Sequence, residues 1–318
     1  GITALSIYFI DKNKADVRIG YLEGDLHQLA FYVALENGYY EEEGIKIEKI
    51  SFANGGDVMT SFVANKRSID MAYFGFAPAL YYRFNNPGAN ITVLAGVNVN
   101  GSALIVRNDP AIQNGSDLAG LKIAVPARNN MQDFILRMIL NNSGVTYDNE
   151  SITPGMAPSD MVAALQTGAI DGYVAWEPHC VKGTANDVGK YLYKSGDVWP
   201  NHPCCIIASH NDFLNSKPDI VNKVLKVHKK ATEWILNNWD DAKTIAMEKM
   251  NLSEEQATIA MANIGYVYKM DLAQMELFVK ILVDLNPDIS LDSPNIPQGF
   301  NASTFIDWFV DPSYIDAL

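Results

Sequence analysis

The chain has 318 residues, of which 48% are hydrophobic and 19% are charged, and its formal net charge at pH 7 is −13. This length suits two domains, and the acidic charge argues against nucleic-acid binding, which needs clustered lysine and arginine. No run of about 18 apolar residues exists, so the sequence contains no candidate transmembrane helix. The composition therefore predicts an acidic globular protein with enough apolar material for two cores.

The chain carries one pattern of elements twice, most clearly in the segments 44–78 and 144–178. Each segment starts with glycine and a β-branched residue, passes through a loop into a helix, and ends in a short buried strand that Ile-Asp opens. Together with the residues upstream, each copy has the order strand, helix, strand, helix, strand. This order predicts parallel pairing with right-handed crossovers, and the repeat is too long for a solenoid. We therefore expect two similar α/β lobes, with ligands at the carboxyl ends of the parallel strands.

The first candidate ligand-binding loop follows the predicted strand 17–22. Asp25 can cap the helix that begins next, and His27 and Gln28 lie in its first turn. Backbone amides at a helix start form a potential anion site. His27 is the side chain of this loop that we expect to meet a ligand. The pattern fits equally well if Asp25 is only a cap and His27 lies on the surface.

The second candidate loop consists of Asn54, Gly55 and Gly56, ahead of a helix predicted over 58–65. Its free backbone amides form a second potential anion site by the same reasoning. The loop lacks the Lys-Ser/Thr pair of a nucleotide-binding P-loop, so ATP binding is not predicted.

Aromatic residues gather where the short strand predicted over 71–75 turns into the next helix. Phe74 and Phe76 belong to this group. Most rings of such a group pack in the core, and one or two could face a ligand. Both residues are therefore candidate ligand contacts.

The corresponding turn of the second copy carries Arg128, Asn129 and Asn130 at the start of a helix predicted over 131–140. Arg128 is the one fixed cation that we expect at a strand end facing the partner lobe. Its guanidinium could hold a carboxylate or sulfonate through two hydrogen bonds, or form a salt bridge between the lobes.

The second copy ends with Trp176, Glu177 and His179. Trp176 at a strand end offers a flat apolar wall, and Glu177 and His179 could hydrogen-bond a ligand. As a metal-binding pair these two residues lack a third spaced ligand, and the chain has no CxxC motif. No metal site is therefore predicted.

The chain is expected to cross between the lobes twice, near residues 101–104 and 202–208, which makes a two-strand hinge. Adjacent Cys204 and Cys205 lie in the second crossing. We interpret them as two small buried thiols, with a strained disulfide as the alternative. The predicted domains are a discontinuous first lobe (17–103 and 207–318), a second lobe (104–206) and an N-terminal extension (1–16).

The pattern is helical beyond residue 211, and these helices are expected to support the first lobe. Ser253 and Gln256 have the spacing of a capping box, in which two side chains bond each other's backbone amides. The predicted helices cover 219–239, 239–249, 253–264 and 273–283.

Several segments resemble the solute-binding proteins of ABC importers in the nitrate, sulfonate and taurine class, which also contains binders of the pyrimidine precursor of thiamine. These segments are GYLEGDLHQLAFYVALENGYYEEEGIKIE, SFVANKRSIDMAYFGFAPAL, DLAGLKIAVPA and MVAALQTGAIDGYVAWEP. The resemblance covers residues 17–239 and implies a two-lobed type II periplasmic binding fold, each lobe a mainly parallel sheet flanked by helices. By position, the family's binding loops map onto 25–28, 54–56, 74–77, 128–130 and 176–179.

The resemblance implies an extracytoplasmic, monomeric protein that traps a small polar or anionic organic solute, such as a sulfonate, carboxylate or heterocycle. Its closed form would dock on a membrane permease, and no cofactor is expected. The alternative is an enzyme, because relatives of this fold synthesise a pyrimidine from pyridoxal phosphate and histidine or act in menaquinone-precursor formation. The turn 128–130 and the hinge 202–205 depart from the family pattern, which leaves the identity of the solute open.

Overall fold

The computed structural model describes residues 14–86, 90–148, 150–285 and 289–318. Residues 1–13, most of the predicted N-terminal extension, lie outside the described residues. The strands are β1 (Val17–Leu22), β2 (Ile47–Phe52), β3 (Met71–Gly75), β4 (Ile91–Gly96), β5 (Asn98–Asn100), β6 (Ser102–Arg107), β7 (Ile123–Val125), β8 (Ile152–Pro154), β9 (Gly172–Trp176), β10 (Gly189–Lys194), β11 (Cys205–His210) and β12 (Ile264–Tyr266). The helices are α1 (Leu29–Glu36), α2 (Tyr39–Glu42), α3 (Gly55–Val63), α4 (Phe76–Asn85), α5 (Met131–Asn142), α6 (Pro158–Gln166), α7 (His179–Gly183), α8 (Ser195–Val198), α9 (Asn211–Ser216), α10 (Pro218–Asn237), α11 (Trp239–Met250), α12 (Glu254–Ala262), α13 (Leu272–Leu285), α14 (Ala302–Phe309) and α15 (Ser313–Asp316).

The first five-stranded sheet has the strand order β2-β1-β3-β11-β4. β1 pairs in parallel with β2 and β3, and β11 lies antiparallel between β3 and β4. All its strands except β11 therefore run in one direction. The alternation of strands and helices explains this arrangement, because a helix after each strand returns the chain to start the next strand in parallel.

The second five-stranded sheet has the order β10-β6-β9-β7-β8 and repeats the same scheme. β7 pairs in parallel with β8 and β9, and β6 lies antiparallel between β9 and β10. The strands β7, β8 and β9 correspond to β1, β2 and β3 of the first sheet. This correspondence agrees with the repeat predicted from the segments 44–78 and 144–178, and the two mainly parallel sheets confirm the predicted α/β class.

The C-terminal helices pack mainly on the first sheet's side, where α10 and α11 contact α1. Ser253 and Gln256 form the predicted capping box at the start of α12. The predicted helix 253–264 was too long, however, because it ends at Ala262 and β12 follows and pairs with β5. A three-residue strand is too short to show an alternating pattern. Within the described parts of the chain, no helix has both the length and the apolar character that a membrane crossing requires.

The chain passes between the two sheets at Gly101 and again near His202. β5 ends at Asn100 beside β12, and β6 begins at Ser102 in the second sheet. On its return the chain enters β11, in the first sheet, at Cys205. These positions are compatible with the predicted two-strand hinge, and the division into domains remains a prediction.

His228 is a buried histidine on α10, and its neutral form should make stability depend on pH. Its Nε2 donates a hydrogen bond to the carbonyl oxygen of Gly96 at 2.8 Å, and burial lowers its pKa from 6.5 to about 4. A lowered pKa contributes stability that is present above pH 6.5 and is lost as the pH falls towards 4. We expect this one group to reduce the free energy of unfolding by about 2 kcal/mol between pH 7.5 and pH 5.

Urea unfolding of the wild type and of His228→Gln at both pH values would measure this effect. Glutamine keeps an N–H donor for Gly96 but does not titrate, so the variant should lose about 2 kcal/mol less than the wild type over the same interval. Equal losses in the two proteins would contradict the prediction.

Candidate functional site

A small crevice lies between the two sheets, and residues from both lobes line it. Its volume is about 30 Å³, close to the ~30 Å³ that one water molecule occupies in the liquid. The loop tips that carry Asn54 and Trp176 therefore face a common space, as the repeat predicted. The lining residues are Leu22, Asp25, His27, Asn54, Gly55, Gly75, Pro78, Asn130, Met131, Gln132, Trp176, Cys204 and Cys205.

The N-terminus of α3 forms the first-lobe side of the crevice. Asn54 caps this helix, because its side-chain oxygen accepts a hydrogen bond from the backbone amide of Asp57 at 3.1 Å. A Cβ atom on the following Gly55 would lie 2.6 Å from Cγ of Pro78. Glycine therefore allows α3 to approach Pro78 this closely. The close approach places the first turn of α3 at the crevice, and the first amides of that turn have no partner within the helix.

The N-terminus of α5 forms the opposite side. Asn130 caps it by accepting a hydrogen bond from the backbone amide of Asp133 at 2.9 Å, and Met131 and Gln132 follow in the first turn. Two capped helix starts thus meet one crevice from different sheets. Because the amino end of a helix carries a partial positive charge, this pair favours an anionic group between them.

Trp176, at the end of β9, forms part of the crevice wall and is 6% exposed. Among the described residues its Nε1 has no hydrogen-bond partner. The ring of His179 packs edge to face against it at 5.9 Å. An unpaired buried N–H costs about 1–3 kcal/mol, and an acceptor on a bound molecule would satisfy it.

Asp25 is buried at the crevice and caps its turn as predicted. One carboxylate oxygen accepts a hydrogen bond from the backbone amide of His27 at 2.9 Å, and the other accepts from Nε2 of Gln28 at 3.2 Å. Burial raises the pKa of Asp25 to about 6, although the charge of His27 opposes this shift. Gln28 lies behind Asp25, where its Oε1 accepts from the amide of Leu22 at 3.0 Å. Gln28 therefore orients Asp25.

The imidazole of His27 lies beside two free, buried thiols. Its Nδ1 is 3.6 Å from Sγ of Cys204 and 3.7 Å from Sγ of Cys205, and its Nε2 donates to the carbonyl oxygen of Gly101 at 2.8 Å. Sequence reasoning missed this cluster, because 177 residues separate His27 from Cys204. The adjacent cysteines in a crossing segment were the only available signal.

The pKa values within this cluster shift in a reciprocal way. Burial by itself would lower the pKa of His27, but the Cys204 thiolate and the Asp25 carboxylate raise it to about 10. A hydrogen bond from Cys205 lowers the pKa of the Cys204 thiol well below its usual range, against the effect of burial, and His27 lowers it further. The same hydrogen bond, followed by burial, raises the pKa of Cys205. The surroundings therefore favour a thiolate on Cys204 next to an imidazolium on His27.

Phe74 and Phe76 are fully buried in the core, outside the crevice lining. The ring centroid of Phe74 lies 6.0 Å from that of Phe62, and the centroid of Phe76 lies 5.5 Å from that of Phe278. The sequence pattern could not separate core from ligand-facing rings here, because β3 lies inside the sheet between β1 and β11.

Arg128 does not reach the crevice. Its guanidinium hydrogen-bonds the hydroxyl of Tyr147 and the carbonyl oxygen of Ile152, the latter at 3.3 Å, and lies 3.8 Å from the carboxylate of Asp133. Asp133 lies on α5, Ile152 on β8 and Tyr147 in the loop between them, so the salt bridge forms within one lobe and not between lobes. Asn129 adopts a left-handed φ of 60°, and its amide donates to Asp133 at 3.1 Å.

Glu177 is buried behind the crevice and connects the two lobes. Its carboxylate accepts hydrogen bonds from Nδ2 of Asn263 at 2.7 Å, the hydroxyl of Tyr191 at 2.8 Å and the amide of Val181 at 3.1 Å. Burial raises its pKa, and these hydrogen bonds oppose the rise. Burial also lowers the pKa of His179 to about 4. The predicted site residues outside the crevice lining are Gln28, Gly56, Phe74, Phe76, Arg128, Asn129, Glu177 and His179.

The chain is similar to several known binding proteins. The model of the NMT1-like family matches residues 11–248. The putative aliphatic sulfonates-binding protein of Bacillus subtilis is 24% identical over 248 residues, which cover 77% of this chain and 72% of that protein. The nitrate/nitrite binding protein of Nostoc is 23% identical over 181 residues, which cover 52% of this chain but 41% of that protein.

A solved structure shows the same fold. The crystal structure of the periplasmic nitrate-binding protein from Synechocystis matches with a TM-score of 0.79 at 17% sequence identity, covering 95% of this chain and 87% of that one. This likeness confirms the predicted two-lobed periplasmic binding fold, and the named relatives confirm the resemblance to the nitrate and sulfonate class. Since the family model matches well over half of the 318 residues, the chain belongs to the NMT1-like family.

Proposed function

We propose that this chain is the extracytoplasmic solute-binding component of an ABC importer and traps a small polar or anionic solute between its two lobes. The observation that carries the proposal is that α3 and α5, one from each lobe, direct their amino ends at one crevice. The named relatives bind nitrate, nitrite or aliphatic sulfonates, which are anions that helix amides can hold. Because those relatives are binding proteins, the enzymatic alternative is not favoured.

The residues that line the crevice suggest how a solute would be held. The first-turn amides at Gly55 and Met131 would bind its negatively charged end. Trp176 would cover its flank, and the unpaired Nε1 would donate a hydrogen bond. Asp25 places a carboxylate nearby, so a solute that also carries a hydrogen-bond donor would fit better than one with acceptors alone.

Binding would require the lobes to open and close. A crevice of about 30 Å³ is too small for an organic solute, so the lobes would have to move apart to admit one and would close over it around a wider space. The crossings at Gly101 and near His202 would act as the hinge for a rotation of one lobe against the other. The closed form would then offer a membrane permease a surface built from both lobes. A monomer suffices, because one chain supplies all the lining residues named above.

A thermal-shift screen of nitrate, bicarbonate, alkanesulfonates, carboxylates and small heterocycles would identify the solute. A ligand at 100 times its Kd should stabilise the folded chain by about 2.7 kcal/mol, which raises the melting temperature. Trp176→Ala should reduce this shift, whereas Trp308→Ala, a partly buried tryptophan outside the crevice, should not. A solute that stabilises both variants as well as the wild type would contradict the proposed site.

A further inference from the structure

The cluster of His27, Cys204 and Cys205 has a role that solute capture does not require. We propose that Nδ1 of His27 and the two Sγ atoms bind one thiophilic metal ion, Zn²⁺ or Cu⁺, at the crevice. Imidazole nitrogen and thiolate sulfur are ligands that such ions prefer in proteins. The site does not depend on which solute the lobes trap, so it can be tested separately.

The distances within the cluster fit a shared ion. The three ligand atoms lie within 4.8 Å of one another, and the two nitrogen–sulfur separations are 3.6 and 3.7 Å. In a tetrahedral zinc site, with Zn–N near 2.0 Å and Zn–S near 2.3 Å, two ligand atoms are about 3.5–3.8 Å apart. The nitrogen–sulfur spacing therefore already matches that of atoms bound to one ion.

The imidazole is also held in the orientation that a metal ligand needs. Nε2–H donates to the carbonyl oxygen of Gly101 at 2.8 Å, which leaves Nδ1 on the side where both sulfurs lie, together with Oδ1 of Asp25 at 3.5 Å. Histidine ligands in metal sites almost always donate their second N–H to a carbonyl or carboxylate, which fixes the tautomer and the ring orientation. The contact with Gly101 supplies this outer interaction without further rearrangement.

The proposed site keeps one coordination position open. Three protein ligands leave a tetrahedral ion one free position, as in catalytic zinc sites with two cysteines and one histidine. All three ligands line the crevice, and Trp176 and Asn130 line it from the other lobe. A space of about 30 Å³ accommodates an ion and little more. On binding, the Cys205 thiol and the His27 imidazolium release their protons to solvent, and the two thiolates balance the charge of Zn²⁺.

The experiment uses the full chain, reduced with a phosphine and stripped of metal with a chelator. Zn²⁺ is titrated in competition with a chromophoric chelator, Cu⁺ is titrated in the same way without oxygen, and Co²⁺ serves as a spectroscopic probe. We expect one ion per chain and a thiolate-to-cobalt charge-transfer band. Cys204→Ser, Cys205→Ser and His27→Gln should each lower the affinity more than the roughly 10–100-fold that loss of an outer-shell partner costs.

Cys180→Ser is the matched control, because Cys180 is a free, buried cysteine outside the cluster. Its affinity for the ion should equal that of the wild type. The proposal is overturned if neither Zn²⁺ nor Cu⁺ binds the wild type at one per chain, or if binding survives in the three ligand variants. It is also overturned if Cys180→Ser loses affinity to the same extent.

Two further measurements keep the outcome decisive. Circular dichroism establishes whether each variant is folded. If a ligand variant does not fold, the cobalt spectrum of the wild type is the deciding measurement. The absence of a thiolate-to-cobalt band in that spectrum refutes the site. The solute screen is run on the wild-type chain with and without added Zn²⁺. Solute binding without metal binding refutes only the metal site, and metal binding without any solute refutes only the proposed capture function.

Discussion

Replacing Gly101 with alanine should destabilise the folded chain by about 2–6 kcal/mol, combining about 1–3 for backbone strain with about 1–3 for overpacking. The residue has φ 89°, a region that alanine adopts only with strain. A Cβ atom there would lie 2.3 Å from Nε2 of His27 and 2.9 Å from Cγ1 of Ile264. The His27 ring would have to move, so the hydrogen bond that orients it would be lost as well. Urea denaturation measures the change in the free energy of unfolding.

Gly120→Ala separates the two causes. Gly120 also has a left-handed backbone, with φ 76°, but a Cβ atom there has no neighbour within 4 Å. This control should therefore show the strain of about 1–3 kcal/mol and none of the overpacking. If both variants lose the same stability, His27 does not constrain the residue at position 101.

The elements that repeat in the sequence were the ones that sequence reasoning could predict. The two strand–helix–strand–helix–strand copies fixed the sheets, because local periodicity determines each element and chain direction determines parallel pairing. The loops ahead of α3 and α5 were found for the same reason, since Asn54 and Asn130 stand directly before helical patterns. These loops do lie at the crevice.

The roles of individual side chains depend on partners that are distant in sequence, and the sequence pattern does not identify these partners. Arg128 was expected to hold a ligand or to form a salt bridge between the lobes because it follows a strand, whereas Tyr147 and Asp133 take up its guanidinium. Glu177 has the same position in the pattern, but Asn263, 86 residues away, bonds its carboxylate. The position of a residue at a strand end predicts where its backbone lies. It does not predict which hydrogen-bond donor or acceptor its side chain will contact.

The cluster at His27 shows the same limit for the proposed metal site. Short-range spacing identifies metal motifs only when the ligands are close in sequence. Here the ligands come from the first loop of the chain and from the second crossing, which the fold brings together at Gly101. The position of Cys204 and Cys205 in the crossing could have identified them as crevice residues. It could not have identified His27 as their partner.

Replacing Phe278 with alanine should cost about 3–5 kcal/mol, as for other buried phenylalanines, and should shift the lobes towards an open form. Phe278 lies on α13, which packs against α14 on the first-lobe side. Its ring is fully buried, with centroids 4.7 Å from Phe134 and 5.4 Å from Trp199, both of which belong to the predicted second lobe. The variant therefore removes apolar contact between the lobes, in addition to the contact of Phe278 with Phe76 within the first lobe. Small-angle X-ray scattering should show a larger radius of gyration than for the wild type.

Phe305→Ala is the matched control for this prediction. Phe305 is equally buried, but its ring stacks on Phe84 at 4.7 Å within the first lobe. We expect a similar loss of stability with an unchanged radius of gyration. Solute affinity should also separate the two variants, because it falls in proportion to the fraction of molecules in the binding-competent closed form. If Phe278→Ala and Phe305→Ala scatter alike and bind alike, the aromatic contact between α13 and the second lobe does not control closure.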